Sequence, residues 1–272
     1  MTDIQTAALV GVVASQLYMV LTYFFAQLRR DSSIVDVGWG LGFVVIACSL
    51  YVSLDGDRPV YFDVVRLLIG IWGVRLFLHI LFRKAGQPED WRYQNWRQQW
   101  GRTHWWRSLL QVVVLQGLFM SIIAMPLYIA VASDATSLGA LAFVGIAVWI
   151  IGFYFEAVGD WQLNKFIKRQ KAKSDSGKKG KKKKQKKAIM QTGLWKYTRH
   201  PNYFGEITQW WGIWLVVAAL PFGWVGLISP LVITYLLLKV SGITMLEKRF
   251  EDNKEFQRYK KRTSALFPLP PK

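Results

Sequence analysis

The sequence predicts an all-α polytopic membrane protein with seven transmembrane helices, its N-terminus outside and its C-terminus cytoplasmic. Three observations predict it. Apolar and basic residues are segregated into blocks, for 52% of the 272 residues are hydrophobic while the formal net charge is +18. Seven apolar stretches, about 6–28, 34–54, 62–82, 108–132, 137–159, 203–220 and 222–239, approach the ~20 residues a helix needs to cross hydrocarbon. Finally, 32 of the 35 Lys and Arg fall in alternate loops and in the tail, which the positive-inside rule places in the cytoplasm.

Each element can be justified in order. Met1–Gln5 carries no basic residue and the apolar run after it is too long for a cleaved signal, so span one reads as a retained helix. Span two carries Gly38, Gly40 and Gly42. They do not make a GxGxxG fingerprint and follow no strand, so they read as helix-packing positions. Arg75, His79 and Arg83 recur every four residues and lay a cationic stripe along span three. Asp3, Asp55, Asp57, Asp63 and Asp134 mark the opposite side. Span five ends with Glu156 and Asp160 on one helical face. Residues 165–191 contain a lysine-rich, low-complexity run, expected to be disordered and drawn to anionic headgroups. It has no interleaved aromatics, so no nucleic-acid partner is expected. Spans six and seven are short and meet at Pro221, as a tight hairpin would. Residues 241–272 form a cytoplasmic amphipathic tail with Leu246, Phe250 and Phe256 on its apolar side. One membrane domain spanning 1–272 accounts for the whole chain.

Composition also limits the chemistry. Cys48 is the single cysteine and lies within span two, and the three histidines share no helix face, so neither a disulfide framework nor a metal site is expected. Ionisable residues within or at the ends of spans are costly and count as functional candidates. Asp36, Glu156, Asp160, Glu206 and Lys239 all fall at cytoplasmic ends.

The densest cluster is "TGLWKYTRHPNYFGE", Thr192 to Glu206. Thr198 suits a helix cap and Pro201 the first turn after it. Open backbone N–H groups there, with Lys196, Arg199 and His200, favour an anion. Asn202 and Glu206, four apart, present acceptors for an amide or a ribose. This pattern points to a charged cofactor or cosubstrate held at the bilayer surface. The plainer reading is an interfacial aromatic belt of Trp195, Tyr197, Tyr203, Trp210 and Trp211, which requires neither Asn202 nor Glu206.

The "TRHPNYFGE" motif, the Glu89-Asp90-x-Arg92-Tyr93 segment and the tail from Glu247 through Tyr259 to Pro268 resemble the steroid 5-alpha-reductase-like membrane proteins, in particular the DUF1295 branch. A similar motif marks the delta-14 and delta-7 sterol reductases, and a looser one the isoprenylcysteine carboxyl methyltransferases. The resemblance runs from "SIVDVGWG" at 33–40 to the C-terminus, excepting the lysine run. It implies a seven-helix membrane reductase using NADPH on a conjugated double bond in a steroid-like or other lipid. It further implies that Asn202 and Glu206 contact the nicotinamide end, with Asp160 beside them. Trp195, Arg199, His200, Tyr203 and Tyr259 would hold phosphates and ribose, with Glu247 in the same set. Asp36 or Glu156 would supply the proton. Trp72 stands where the steroid enzymes carry a tyrosine and cannot donate a phenolic proton, and Glu156 stands where they tend to have Asn. The competing expectations are an S-adenosylmethionine-dependent methyltransferase of a lipidated substrate and a non-catalytic lipid-binding protein. The expected location is multi-pass, in a bacterial inner membrane or the endoplasmic reticulum.

Overall fold

The computed structural model describes residues 3–54, 56–176, 188–240 and 242–272, and among these every regular element is a helix. Five stretches are long and apolar enough to cross a membrane: Ile4–Leu28, Val60–Lys84, Trp91–Ile123, Ala140–Lys173 and Gly223–Lys248. Trp39–Ser53 is apolar but shorter. The chain is a multi-pass integral membrane protein, folded as two compact units.

The first unit comprises Met1–Gly145 and Ile213–Val232. Its helices are α1 (Ile4–Leu28), α2 (Ile34–Val37), α3 (Trp39–Ser53), α4 (Val60–Lys84), α5 (Trp91–Trp100), α6 (His104–Ser108), α7 (Leu115–Ile123) and α8 (Met125–Val131). Close approach of α3 and α4 explains two glycines: a Cβ at Gly40 would lie 2.5 Å from the Gly73 carbonyl oxygen, and the converse holds for Gly73. The expectation that this glycine cluster packs helices together is met by that contact. Beside it Trp72 meets Phe43 edge-on at 5.3 Å, and both rings are fully buried. Trp72 is therefore a core residue. Ser15 of α1 and Ser121 of α7 share a hydrogen bond of 2.7 Å, while Leu9, Leu17, Leu21, Phe24 and Leu28 form an exposed apolar stripe on α1 suited to lipid.

The second unit comprises Ile146–Gly212 and Ile233–Lys272. It draws on α9 (Ala140–Ser176), α10 (Pro201–Val217) and α11 (Ile228–Tyr235), followed by α12 (Ile243–Lys248) and α13 (Lys254–Arg262). Of the 165–191 stretch expected to be disordered, 165–176 is instead helix, because α9 runs to Ser176. Its Lys, Arg, Gln and Ala are strong helix formers, and no Gly or Pro interrupts 160–176. Residues 177–187 of that run lie outside the described residues.

Glycines again fix the contact that matters. A Cβ on Gly152 would fall 2.6 Å from both the Gln209 nitrogen and the Gly205 oxygen, and one on Gly159 would lie 3.2 Å from the Asn202 nitrogen. The backbones of α9 and α10 therefore touch, which sets Glu156 against Gln209 and Asp160 against Asn202.

Candidate functional site

The opening of α10 follows from its sequence. Thr198 Oγ1 accepts a hydrogen bond from the His200 N–H at 3.2 Å and donates to the Ala265 carbonyl at 3.2 Å. Pro201, which has no N–H to satisfy, is the first helical residue. The His200 ring stacks on Tyr203, with centroids 5.5 Å apart and planes 9° from parallel.

The tail covers this segment. Arg199 donates from its backbone N–H to Ser264 at 2.9 Å, from Nε to Glu247 Oε1 at 2.8 Å, and from Nη1 to the carbonyls of Lys260 and Thr263. Glu247 also meets His200 Nε2 at 3.2 Å and Lys260 Nζ at 3.1 Å. The Tyr259 hydroxyl bonds to the Trp195 carbonyl, with the Thr198 carbonyl at 3.3 Å. Phe256 and Tyr259, three apart on α13, are both buried. The apolar side of this part of the tail is thus covered by protein.

Electrostatics match that enclosure. Burial pushes the His200 imidazole below its ordinary value; Glu247 pulls the other way without overcoming it, and Arg199 adds to the depression. Burial likewise pushes the Tyr259 phenol up.

Deeper along α10 the side chains pair with α9. Asn202 Nδ2 donates to Asp160 Oδ1 at 3.1 Å, while Asn202 Oδ1 is buried with no hydrogen-bond partner. Asp160 and Glu206 are both buried. One level below, Gln209 Nε2 donates to Glu156 Oε2, and it lies 3.4 Å from the Gly205 carbonyl.

The second unit therefore contains Glu156, Asp160, Trp195, Arg199, His200, Asn202, Tyr203, Glu206, Glu247 and Tyr259. Three of the residues expected to hold phosphates and ribose are also hydrogen-bonded within the chain. Arg199 and Tyr259 spend the donors described above on main-chain oxygens and Glu247, and Trp195 Nε1 donates to the Gly159 carbonyl at 3.1 Å. Exposed cations nearby include Lys196 and Lys260, the latter already on Glu247.

Asp36 belongs to the first unit. Its carboxylate accepts from Arg92 Nη2 and from the Tyr93 hydroxyl, each at 2.7 Å, with Gln116 Nε2 at 3.5 Å. The surrounding loop is tied down in the same way: Glu89 takes the Ser32 N–H at 2.8 Å and Arg97 Nη2 at 2.8 Å, and Lys84 pairs with Asp31 at 3.0 Å. Burial raises the Asp31 carboxyl, but bonds from Ser33 and Lys84 outweigh it and leave it below its usual range. Two cavities of about 560 Å³ also lie in this unit. One opens at Ser53 and Leu54, the far end of α3 from Asp36, and the other around Ile4, Met125, Ile129 and Phe222. Neither is lined by a predicted site residue.

Sequence reasoning missed Gln209 and the partners of Asp36. Gln209 carried a usable signal, being a polar residue in an apolar run seven positions after Asn202 and so on the same helical face. Nothing in the spacing pairs Tyr93 with Asp36, which lie 57 positions apart.

No curated protein and no solved structure matches this chain. The model of one family, described as a protein of unknown function (DUF1295), matches residues 22–263, which is most of the chain, and the chain belongs to that family.

Proposed function

We propose that this protein is an NADPH-dependent reductase of a conjugated carbon–carbon double bond in a steroid-like or other membrane-borne lipid. One observation carries the reading: Asn202 gives its N–H to Asp160 and keeps a buried carbonyl oxygen with no partner. Leaving such an acceptor open costs about 1–3 kcal/mol, which a donor from a bound group would offset. A ribosyl nicotinamide offers such donors, and the acceptors Asp160, Asn202 and Glu206 fit it.

When bound, the reduced nicotinamide supplies a hydride. Everything else falls to the chain. Asn202, Asp160 and Glu206 orient the ribosyl nicotinamide, and Lys196 with Lys260 offsets phosphate charge. Glu247 holds Arg199 and His200 in position. Glu156, steadied by Gln209 in a buried setting, holds the proton for the carbon that gains it, or hydrogen-bonds the charge that develops on the substrate oxygen. Low dielectric strengthens that bond relative to water. Asp36, bound by Arg92 and Tyr93, orients its own segment, so the acid role passes to Glu156.

The same reading has seven spans, adding those at 34–54 and 203–220 to the five longer helices, with the N-terminus outside and the basic loops in the cytoplasm. The membrane is a bacterial inner membrane or the endoplasmic reticulum, and the lysine-rich run meets its anionic headgroups.

Titration of the detergent-purified protein with NADPH, followed by nicotinamide fluorescence, tests the assignment. Saturable binding below about 1 mM is expected, and it should be markedly weaker in Asn202→Leu. No binding at that concentration, with S-adenosylmethionine binding instead, would turn the reading to methyl transfer.

A further inference from the structure

The second level of the α9–α10 contact has a role that the first does not fill. Gln209 is fully buried. Its orientation is set from one side only, because Nε2 faces two acceptors, Glu156 Oε2 and the Gly205 carbonyl. Turning the amide over would place oxygen against oxygen at both. Gln209 Oε1 therefore points away from α9's carboxylate and is buried without a hydrogen-bond partner. A hydrophobic side chain of similar size would pack there without that penalty.

Two open acceptors thus lie on one face of α10, at 202 and 209. Seven residues at a rise of 1.5 Å separate them by about 10 Å along the axis, too far for one amide group to satisfy both. Position 202 is near the start of α10 and position 209 two turns further in. A ligand with charge at the cytoplasmic surface and an uncharged amide at its buried end satisfies both. Its sugar hydroxyl reaches the nearer acceptor and its amide the deeper one.

We propose that Gln209 Oε1 accepts a hydrogen bond from the carboxamide N–H of the nicotinamide, which makes Gln209 a specificity-determining residue for the cofactor's buried end. This rests on the reductase reading above and adds to it a residue and a bond. Asn202 is left the sugar hydroxyl.

Cofactor analogues separate the two levels without any lipid substrate. The reduced 3-acetylpyridine analogue of NADPH replaces the carboxamide NH2 with methyl, while the thionicotinamide analogue keeps it. In the unaltered protein the acetylpyridine compound is expected to bind about tenfold more weakly than NADPH, and the thionicotinamide compound within about threefold of it. Gln209→Met should weaken NADPH about tenfold and leave the acetylpyridine analogue unchanged, closing the gap. Asn202→Leu should weaken all three and preserve it. If Gln209→Met does not fold, Gln209→Asn, which retracts the carboxamide by one methylene, should narrow the gap in the same direction. Equal binding of NADPH and the acetylpyridine analogue by the unaltered protein overturns the proposal and leaves the reductase reading standing. A gap that persists in the Gln209 variants does the same, and would assign the open oxygen to a buried water. Absence of NADPH binding at millimolar concentration overturns both.

Discussion

Arg199 Nε lies 2.8 Å from Glu247 Oε1, and the two side chains are only 8% and 10% exposed. A buried ion pair of this kind contributes little net stability relative to a hydrophobic pair, but removing one partner strands the other charge. Glu247→Ala is therefore expected to destabilise the protein by about 3–5 kcal/mol, because Arg199 and His200 lose their shared acceptor. Thermal unfolding in detergent would show a lowered midpoint, with protease sensitivity rising first in 242–272. An unchanged midpoint would mean that the tail is held by Phe256 and Tyr259 alone.

His200 predicts a pH dependence. Its folded-state pKa is depressed below the ordinary 6.5, chiefly by burial. The unfolded chain therefore takes up the proton first as pH falls. Stability contributed by neutral His200 is present above about 6.5 and declines as pH drops through that value. Most carboxylates titrate lower, so the interval from about pH 6.5 to 5 isolates the histidine. Unfolding midpoints across it should fall in the natural sequence and stay flatter in His200→Gln.

Glycine substitutions distinguish close helix contact from mere helix propensity. Gly205→Ala should be strongly destabilising, since its Cβ would collide with the Glu156 backbone and come within 2.5 Å of the Gly152 oxygen. At Gly70 a Cβ meets nothing within 4 Å. Gly70→Ala on α4 is expected to be neutral or to stabilise by about 0.5–1 kcal/mol through helix propensity. Comparing detergent thermal midpoints of the two variants checks the pair.

Tyr93→Phe removes the hydroxyl that lies 2.7 Å from Asp36 Oδ1, on a ring 2% exposed. A hydrogen bond to a charged acceptor is worth about 1.5–3 kcal/mol, and that is the expected loss. The NADPH binding proposed for the second unit should survive. A variant that lost NADPH binding while keeping its thermal midpoint would show that Tyr93 does more than anchor Asp36.

Much of this was legible in the sequence for physical reasons. Apolar blocks of span length locate helices because backbone groups in hydrocarbon must bond within their own segment. The Thr198–Pro201 start and the shared face of Asn202 and Glu206 follow from local periodicity. What escaped was non-local. Glu247 reaches Arg199 across 48 positions, and no periodicity encodes that contact. Composition misled at 165–176, where lysine content suggested disorder although the same residues favour helix next to a preformed α9. Gln209 was overlooked because a lone polar residue in an apolar run looks like noise until its partner, Glu156, is seen 53 positions earlier.

The backbone of Arg199 is tied to Ser264, and its side chain to Lys260, 61 positions later, while Thr198 reaches Ala265, 67 positions later. During synthesis at roughly 5–20 residues per second, the segment 195–200 waits on the order of 3–13 s for the tail segment that closes over it. Its neighbouring helix can enter the bilayer during that delay while the polar knot stays undone. Maturation is thus ordered in time, and a chain that ends before residue 260 lacks the tail contacts that close over Thr198 and Arg199.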